Sequence, residues 1–157
     1  MKKSFLAIAV VAGLLYGGGV KAAEVWSRVS PDAAPQNLQI MHPNSFLVYK
    51  LDETLLRTQL FALSSSPSDA VIFSLPMPDG SSRSFKVWES SVMPGQLAAK
   101  FADIKTFSAR AVDAPGVTAK LDFTLYGFHA MIFDGDNTAF IDPYDNYNDG
   151  FYMVHYK

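Results

Sequence analysis

The sequence has no cysteine among its 157 residues. This absence excludes disulfide bonds, thiolate metal sites and cysteine nucleophiles together. Two common hydrolase motifs, H-E-x-x-H and G-x-S-x-G, are missing as well. The chain is therefore predicted to be stabilised by packing alone and to have no catalytic activity of its own.

Neither sign of charge is in large excess. The formal net charge is −2 at pH 7, and the isoelectric point is about 5.8. Proteins that bind nucleic acid neutralise phosphates with clustered lysine and arginine, and the sequence has no such cluster. Nucleic acid is therefore excluded as a partner.

A long apolar run occurs only at the N-terminus. Two lysines after the initiator methionine precede an apolar stretch over residues 5–16, and three glycines follow at 17–19. This pattern is typical of a secretory signal peptide, here residues 1–22, with cleavage after Ala22. The alternative is an uncleaved anchor, but the apolar run is shorter than the roughly 20 residues that span a bilayer. We expect a secreted, periplasmic or extracellular protein with no membrane contact after cleavage.

The lead-in after the signal peptide is predicted to be irregular, and regular structure is predicted from residue 45 onward. Three prolines interrupt the lead-in over residues 23–44. Residues 45–51 then form a strand with one wholly apolar face. Asp52 is a good helix N-cap, and the leucines that follow at helical spacing predict a helix through Leu63.

A β-hairpin is predicted next, from an apolar strand over residues 70–75 and a return strand over residues 84–89. Between them the sequence PMPDG supplies the proline, aspartate and glycine of a turn. Phe85 and Val87 share one face of the return strand, whereas Trp88 lies on the opposite, polar face.

The C-terminal half is predicted to form strands after a short helical turn over residues 96–101. Residues 117–125 alternate apolar and polar side chains without a break. The side chains predicted to face the core are Val117, Ala119, Leu121, Phe123 and Leu125. Further extended segments are predicted at residues 104–112, 128–133, 138–142 and 151–156.

The predicted fold class is α+β: a largely antiparallel β-sheet of hairpins with one main α-helix and a short helical turn. The roughly 135 residues that remain after signal cleavage are enough to bury one core. We therefore expect a single domain over residues 45–157.

Two side chains are candidates for partner binding. Trp88 is an aromatic residue on the polar face of its strand, where a contact with a partner would explain its position. His129 lies in the sequence GFHA, on the opposite strand face from the apolar Phe128. Its functional interpretation is a ligand or an inhibitory contact, and the alternative is a half-exposed strand histidine without a partner.

The region over residues 134–150 is rich in aspartate and asparagine. Calcium prefers carboxylate and carbonyl oxygens, so the candidate ligands are Asp134, Asp136, Asp142 and Asp145. The spacing does not match an EF-hand, since the middle glycine and the closing glutamate are missing. The alternative is that these residues form ordinary turns. No other cofactor is expected in this chain.

Several short segments of the sequence, taken in order, resemble segments of one protein family. They are IFSLPMPDG at 72–80, FKVWES at 85–90, LAAKF at 97–101, GFHAM at 127–131 and IDPY at 141–144. Together they resemble the N-terminal propeptide-like region of bacterial secreted reprolysin-like zinc metallopeptidases. The resemblance runs from Phe46 to Tyr156.

This resemblance implies a role for the chain within a longer protein. In such proteins the region precedes a catalytic domain with an extended H-E-x-x-H motif, so zinc would belong only to that cognate domain. The chain is then a non-catalytic prodomain, a fragment or truncated product of a protease. Its partner is a metallopeptidase catalytic domain, in cis or in trans, whose folding it assists or whose activity it inhibits. Because cysteine is absent, inhibition would be steric or would use an oxygen or histidine donor.

The competing hypothesis is a free-standing exported binding domain that contacts a glycan, a peptide or an envelope component. Trp88 favours this alternative, because it is an aromatic side chain predicted on the solvent-facing side of the sheet. A catalytic motif downstream in the same reading frame would favour the prodomain instead.

Overall fold

The computed structural model describes residues 20–35, 39–147 and 149–157. The signal peptide predicted over residues 1–22 lies mainly outside the described residues. Within the described ranges, no helix has the length and the apolar character needed to cross a bilayer.

Most of the described chain is β-structure. Nine strands form one antiparallel sheet in these ranges, together with two short α-helices. The strands are β1 (Trp26–Val29), β2 (Leu47–Leu51), β3 (Val71–Pro76), β4 (Ser82–Glu89), β5 (Lys105–Ala111), β6 (Thr118–Thr124), β7 (Gly127–Asp134), β8 (Asn137–Pro143) and β9 (Phe151–Tyr156). The helices are α1 (Glu53–Phe61) and α2 (Gly95–Lys100). The prediction of a largely antiparallel sheet with few helices is confirmed, and the sheet dominates the fold.

The sheet is strongly curved. Its strand order is β1-β2-β9-β8-β7-β6-β5-β4-β3. Lys21 forms a parallel bridge with Ile72 at the β3 edge, while Trp26 begins β1 at the other edge. Five residues of chain span at most about 18 Å, whereas eight strand spacings in a flat sheet measure about 38 Å. The two edges must therefore approach each other, which makes the sheet a half-barrel.

The predicted hairpin is present as β3 and β4. Phe85 and Val87 are fully buried on the core face of β4, as expected from the alternation. In the turn, Asp79 Oδ1 accepts a hydrogen bond from the Ser81 amide at 2.9 Å. Gly80 adopts a φ of 86°, which favours glycine at this position. The turn residues thus act as their chemistry predicts.

The alternation predicted for residues 117–125 is right along the strand and wrong at its last position. The four buried side chains are those of Val117, Ala119, Leu121 and Phe123. Strand β6 ends at Thr124, and Leu125 is 73% exposed. Leu125 and Tyr126 form the two-residue turn to β7, since Thr124 pairs with Gly127. A turn carries its residues away from the core whatever the preceding pattern.

The lead-in over residues 23–44 is not irregular throughout, which corrects the prediction. It contains β1, and Trp26 packs edge-on against Tyr152 with 5.5 Å between ring centroids. All three prolines follow this strand and do not interrupt it. Further residues pack on the outside of β2 and β9 in a small second cluster of Ala34, Val48, Tyr144 and Met153. Strand β2 is consequently buried along its core face and at Val48 on its outer face, whereas Lys50 on that outer face is exposed.

Helix α1 connects β2 to β3 along the chain and packs into the core that the sheet encloses. Asp52 Oδ1 accepts a hydrogen bond from the Leu55 amide at 2.9 Å, which confirms the predicted N-cap. Leu56 and Leu60 are buried in the core. The helix ends at Phe61, one half-turn before the predicted end.

The sheet has two ends that differ in their loops. Because neighbouring strands are antiparallel, alternate connections lie together. The apical end carries the β6–β7 turn at residues 125–126, the loop over 144–150 and the connection over 90–104 that includes α2. The basal end carries the β3–β4 turn and the β7–β8 turn, at residues 77–81 and 135–136.

Candidate functional site

A row of polar side chains crosses the outer face of the sheet near its apical end. Strand register places Thr106 opposite Asp122, and Asp122 opposite His129. The register of β7 and β8 then brings Asp142 beside His129. Residues from four consecutive strands thus form one line, which sequence distance alone does not reveal.

His129 is a half-exposed strand histidine, as the alternative expected, but it has a partner. Its Nδ1 lies 3.1 Å from Asp122 Oδ1, and the His129 side chain is 32% exposed. The hydrogen bond to Asp122 raises the pKa of His129, although partial burial opposes this shift. Such a pair can hold a proton or offer the imidazole Nε2 as a ligand. The two-residue turn at Leu125 and Tyr126 fixes the register of β6 and β7 and thereby this pairing, and the strand predicted through Leu125 did not indicate that turn.

Asp142 lies between two histidines. Burial raises the pKa of Asp142, and the nearby His129 and His155 oppose that rise. The His155 Nε2 is 3.5 Å from Asp142 Oδ2, an ion-pair distance longer than an ordinary hydrogen bond. The His155 ring stacks on Phe140 at 5.5 Å between centroids. His155 was not among the predicted site residues, since its pairing depends on the β8–β9 register.

A cleft of about 520 Å³ opens at the apical end beside His129. Its walls come from the β6–β7 turn, the loop after β8, and the segments before β5 and near residue 40. The apolar lining side chains are those of Ile40, Ile104, Leu125, Tyr126 and Pro143. Ligand sites in proteins are commonly clefts of this size with apolar walls and a few polar groups.

Asp145 is the most deeply buried acidic residue in the cleft wall, at 3% exposure. Its Oδ1 accepts a hydrogen bond from the Tyr147 amide at 2.8 Å. Its Oδ2 is buried and has no hydrogen-bond donor among the described residues. A buried carboxylate oxygen without a donor is costly, so it marks a position where a donor from outside is favourable.

Large apolar side chains are exposed around the cleft. Leu125 and Tyr126, at the tip of the β6–β7 turn, are 73% and 70% exposed. We define the apical surface as the exposed apolar residues of this end: Ile40, Val92, Leu97, Phe101, Leu125, Tyr126 and Tyr147. Turn tips normally carry glycine, asparagine or aspartate. Several exposed apolar residues at one end of a domain are typical of an interaction surface.

The structure separates the four candidate calcium ligands into two pairs. Asp134 and Asp136 lie at the basal end, and Asp134 forms an ion pair with Arg83 at 2.7 Å. Asp142 and Asp145 lie at the apical end, because β8 crosses the sheet between the two pairs. In the described part of the chain, no three acidic, histidine or cysteine side chains are close enough to share a metal ion. The four residues therefore do not form one site.

Trp88 is apart from the apical cleft. It lies on the outer face of β4, as predicted, and is half-buried and not fully exposed. It lines a second cleft of about 410 Å³ together with Lys86 and Arg110. The two predicted partner-binding residues, Trp88 and His129, are thus on different parts of the surface.

Comparison of the chain with protein-family models, with curated proteins and with solved structures gave no match.

Proposed function

We propose that the chain is a secreted, non-catalytic prodomain-like module that assists the folding of a reprolysin-like zinc metallopeptidase, inhibits it, or does both. The observation that carries this proposal is the apical surface. Its exposed apolar side chains surround a cleft whose wall contains a carboxylate oxygen, Asp145 Oδ2, without a hydrogen-bond donor among the described residues. Both features are expected of a surface that another protein covers. The sequence resemblance supplies the class of partner.

The chemistry of the polar row supports a binding role over a catalytic one. The His129 and Asp122 pair resembles the base and orienting group of a hydrolase. In the described chain, however, no serine or threonine hydroxyl is hydrogen-bonded to His129, and the sequence has no cysteine. A base that is not hydrogen-bonded to a side-chain nucleophile lacks the arrangement of a catalytic triad.

Inhibition by this surface is expected to be mainly steric. The apical turn projects two large side chains, and a catalytic cleft covered by them would be closed to substrate. The same end also carries an imidazole and several carboxylates, which are the donor types that remain when cysteine is absent. These donors are close to the projecting turn, so both modes use one surface.

The test is to titrate the chain against a reprolysin-like catalytic domain prepared without its propeptide. We expect peptide hydrolysis to fall, or the refolding yield to rise, and the effect to saturate with concentration. A metallopeptidase of another family should not respond, because docking depends on a complementary surface. If neither activity nor refolding changes, the proposed function is wrong.

A matched pair of variants locates the interface. Tyr126→Asp places a charge on the apical surface and should weaken the effect by on the order of tenfold or more. Val112→Asp is the control, since Val112 is 45% exposed at the basal end. Equal losses in the two variants would show that the apical surface is not the contact.

The alternative function is an exported domain that binds a glycan, a peptide or an envelope component. The cleft that contains Trp88 favours it, because an aromatic ring flanked by Lys86 and Arg110 is a suitable platform for a polar ligand. Binding to glycans or cell-envelope fragments that is abolished by Trp88→Ala, with no effect on any metallopeptidase, would establish this function in place of the first.

A further inference from the structure

The Asp145 Oδ2 atom, which has no hydrogen-bond donor among the described residues, indicates which kind of ligand would bind in the cleft. The carboxylate is 3% exposed, and Tyr147 satisfies only its Oδ1. No ion pair involves Asp145 among the described residues. A group that donates a hydrogen bond and carries a positive charge would satisfy Oδ2 and also neutralise the buried charge.

We propose that Asp145 binds the cationic end of a lysine or arginine side chain that the partner inserts into the apical cleft. This inference rests on the proposed function, since it assumes that a protein covers the apical surface. It adds the chemistry by which that protein is recognised: a basic residue carried on an apolar segment.

The walls of the cleft match the rest of such a side chain. Lysine and arginine carry their charge on a stem of methylene groups, which packs on apolar surface. Ile104, Leu125 and Pro143 provide that surface beside Asp145. An apolar neighbour on the partner would contact Tyr126 at the rim, which is 70% exposed.

The surrounding charges favour a cation over an anion. Asp122 and Asp142 stand on the neighbouring strands, and His129 is the basic group between them. Together with Asp145 these are three carboxylates against one imidazole, so the region around the cleft has an excess of acidic groups, which attracts cations. A calcium ion would need six to eight oxygen ligands, and the described part of the chain brings no three candidate ligands together here. A single organic cation needs only one or two acceptors.

The experiment uses two blocked tripeptides, one with a central lysine between leucines and one with acetyl-lysine at that position. Both are titrated into the secreted, isotopically labelled chain and followed by NMR chemical shifts of the Asp145, Tyr126 and Thr118 amides. We expect the lysine peptide to bind on the order of tenfold more tightly, because acetylation removes the charge but keeps the stem. Shifts should concentrate at Asp145 and Tyr126, whereas Thr118 at the basal end of β6 should not respond. Added salt should weaken the lysine peptide more than the acetyl-lysine peptide.

Two variants test the residue itself. Asp145→Asn should remove the difference between the peptides, whereas Asp149→Asn, an equal charge change in the same loop at an exposed position, should preserve it. Peptides that bind alike, or variants that lose the difference equally, overturn the proposal. If the peptides bind alike but the chain still inhibits a metallopeptidase, the proposed function stands without the Asp145 site. If lysine is selected through Asp145 and no metallopeptidase responds, the site stands and the prodomain does not.

Discussion

The substitution Tyr152→Phe removes only the hydroxyl group of a buried side chain, and it should lower the free energy of unfolding by about 2–4 kcal/mol. The Tyr152 hydroxyl donates a hydrogen bond to the Glu53 carboxylate at 2.5 Å and accepts one from the Phe128 amide at 3.0 Å. It thereby connects the first turn of α1 to β7 and β9. Burial also raises the pKa of Tyr152, so its hydroxyl remains a donor over the usual pH range.

The magnitude follows from the two bonds. A hydrogen bond to a charged acceptor contributes about 1.5–3 kcal/mol, and a buried amide left without an acceptor costs about 1–3 kcal/mol. The two terms share one hydroxyl and are not additive, so their sum is an upper limit. Tyr152→Phe keeps the ring, and therefore the packing against Trp26, unchanged.

Urea denaturation followed by tryptophan fluorescence measures this effect. The chain has two tryptophans, so Trp88→Phe serves as the background that leaves Trp26, next to Tyr152, as the reporter. Tyr156→Phe is the control, because Tyr156 lies on the same strand and is 48% exposed. The argument fails if the two variants have the same free energy of unfolding, or if Tyr152→Phe changes the m-value in place of the midpoint.

Three further predictions concern the core, the polar row and the sheet edge. Phe123→Ala should lower the free energy of unfolding by about 3–5 kcal/mol, and Lys120→Ala on the other face of β6 by less than about 0.5 kcal/mol; equal effects would contradict the register. His129 has a raised pKa when folded, so its stabilisation is complete below the unfolded value of about 6.5 and is lost as pH rises through the folded value. Denaturation should accordingly show a larger deficit for His129→Gln at pH 5.5 than at pH 9, and a constant deficit would refute the ion pair. The Ile72 amide donates to residue 20 at 2.7 Å, so removal of residues 1–22 should abolish its protection in hydrogen exchange measured by NMR; retained protection would mean that another segment replaces the lost one.

Local patterns predicted the local structure well. The hairpin of β3 and β4 followed from a turn containing Asp79 and Gly80, and the core face of β6 from strict alternation. The N-cap at Asp52 followed from side-chain chemistry alone. Each of these features is determined by residues within a few positions of each other, where propensity and pattern act directly.

The predictions failed where distant parts of the chain decide the structure. Strand β1 depends on pairing with the edge of β2, and the three prolines that follow β1 concealed this pairing. The pairing of Asp122 with His129 required a strand register, and the pairing of His155 required a second one. Asp145 Oδ2 lacks a hydrogen-bond donor because the loop that carries it is buried. The spacing of aspartates along the sequence could not indicate that burial.

The two ends of the sheet differ in how far they satisfy their own polar and apolar groups, and this difference is the reason to propose the apical end as the binding surface. At the basal end Arg83 lies between Asp113 and Asp134, at 3.8 and 2.7 Å, so these three charges are paired. At the apical end a buried carboxylate oxygen lacks a donor and several large apolar side chains face water. Both features cost free energy in the isolated chain, and the proposed apolar and basic partner would relieve both. A partner that recognises these features would bind the folded chain and not the unfolded one, so the proposal predicts that it raises the stability of the fold by an amount that grows with its concentration above the dissociation constant.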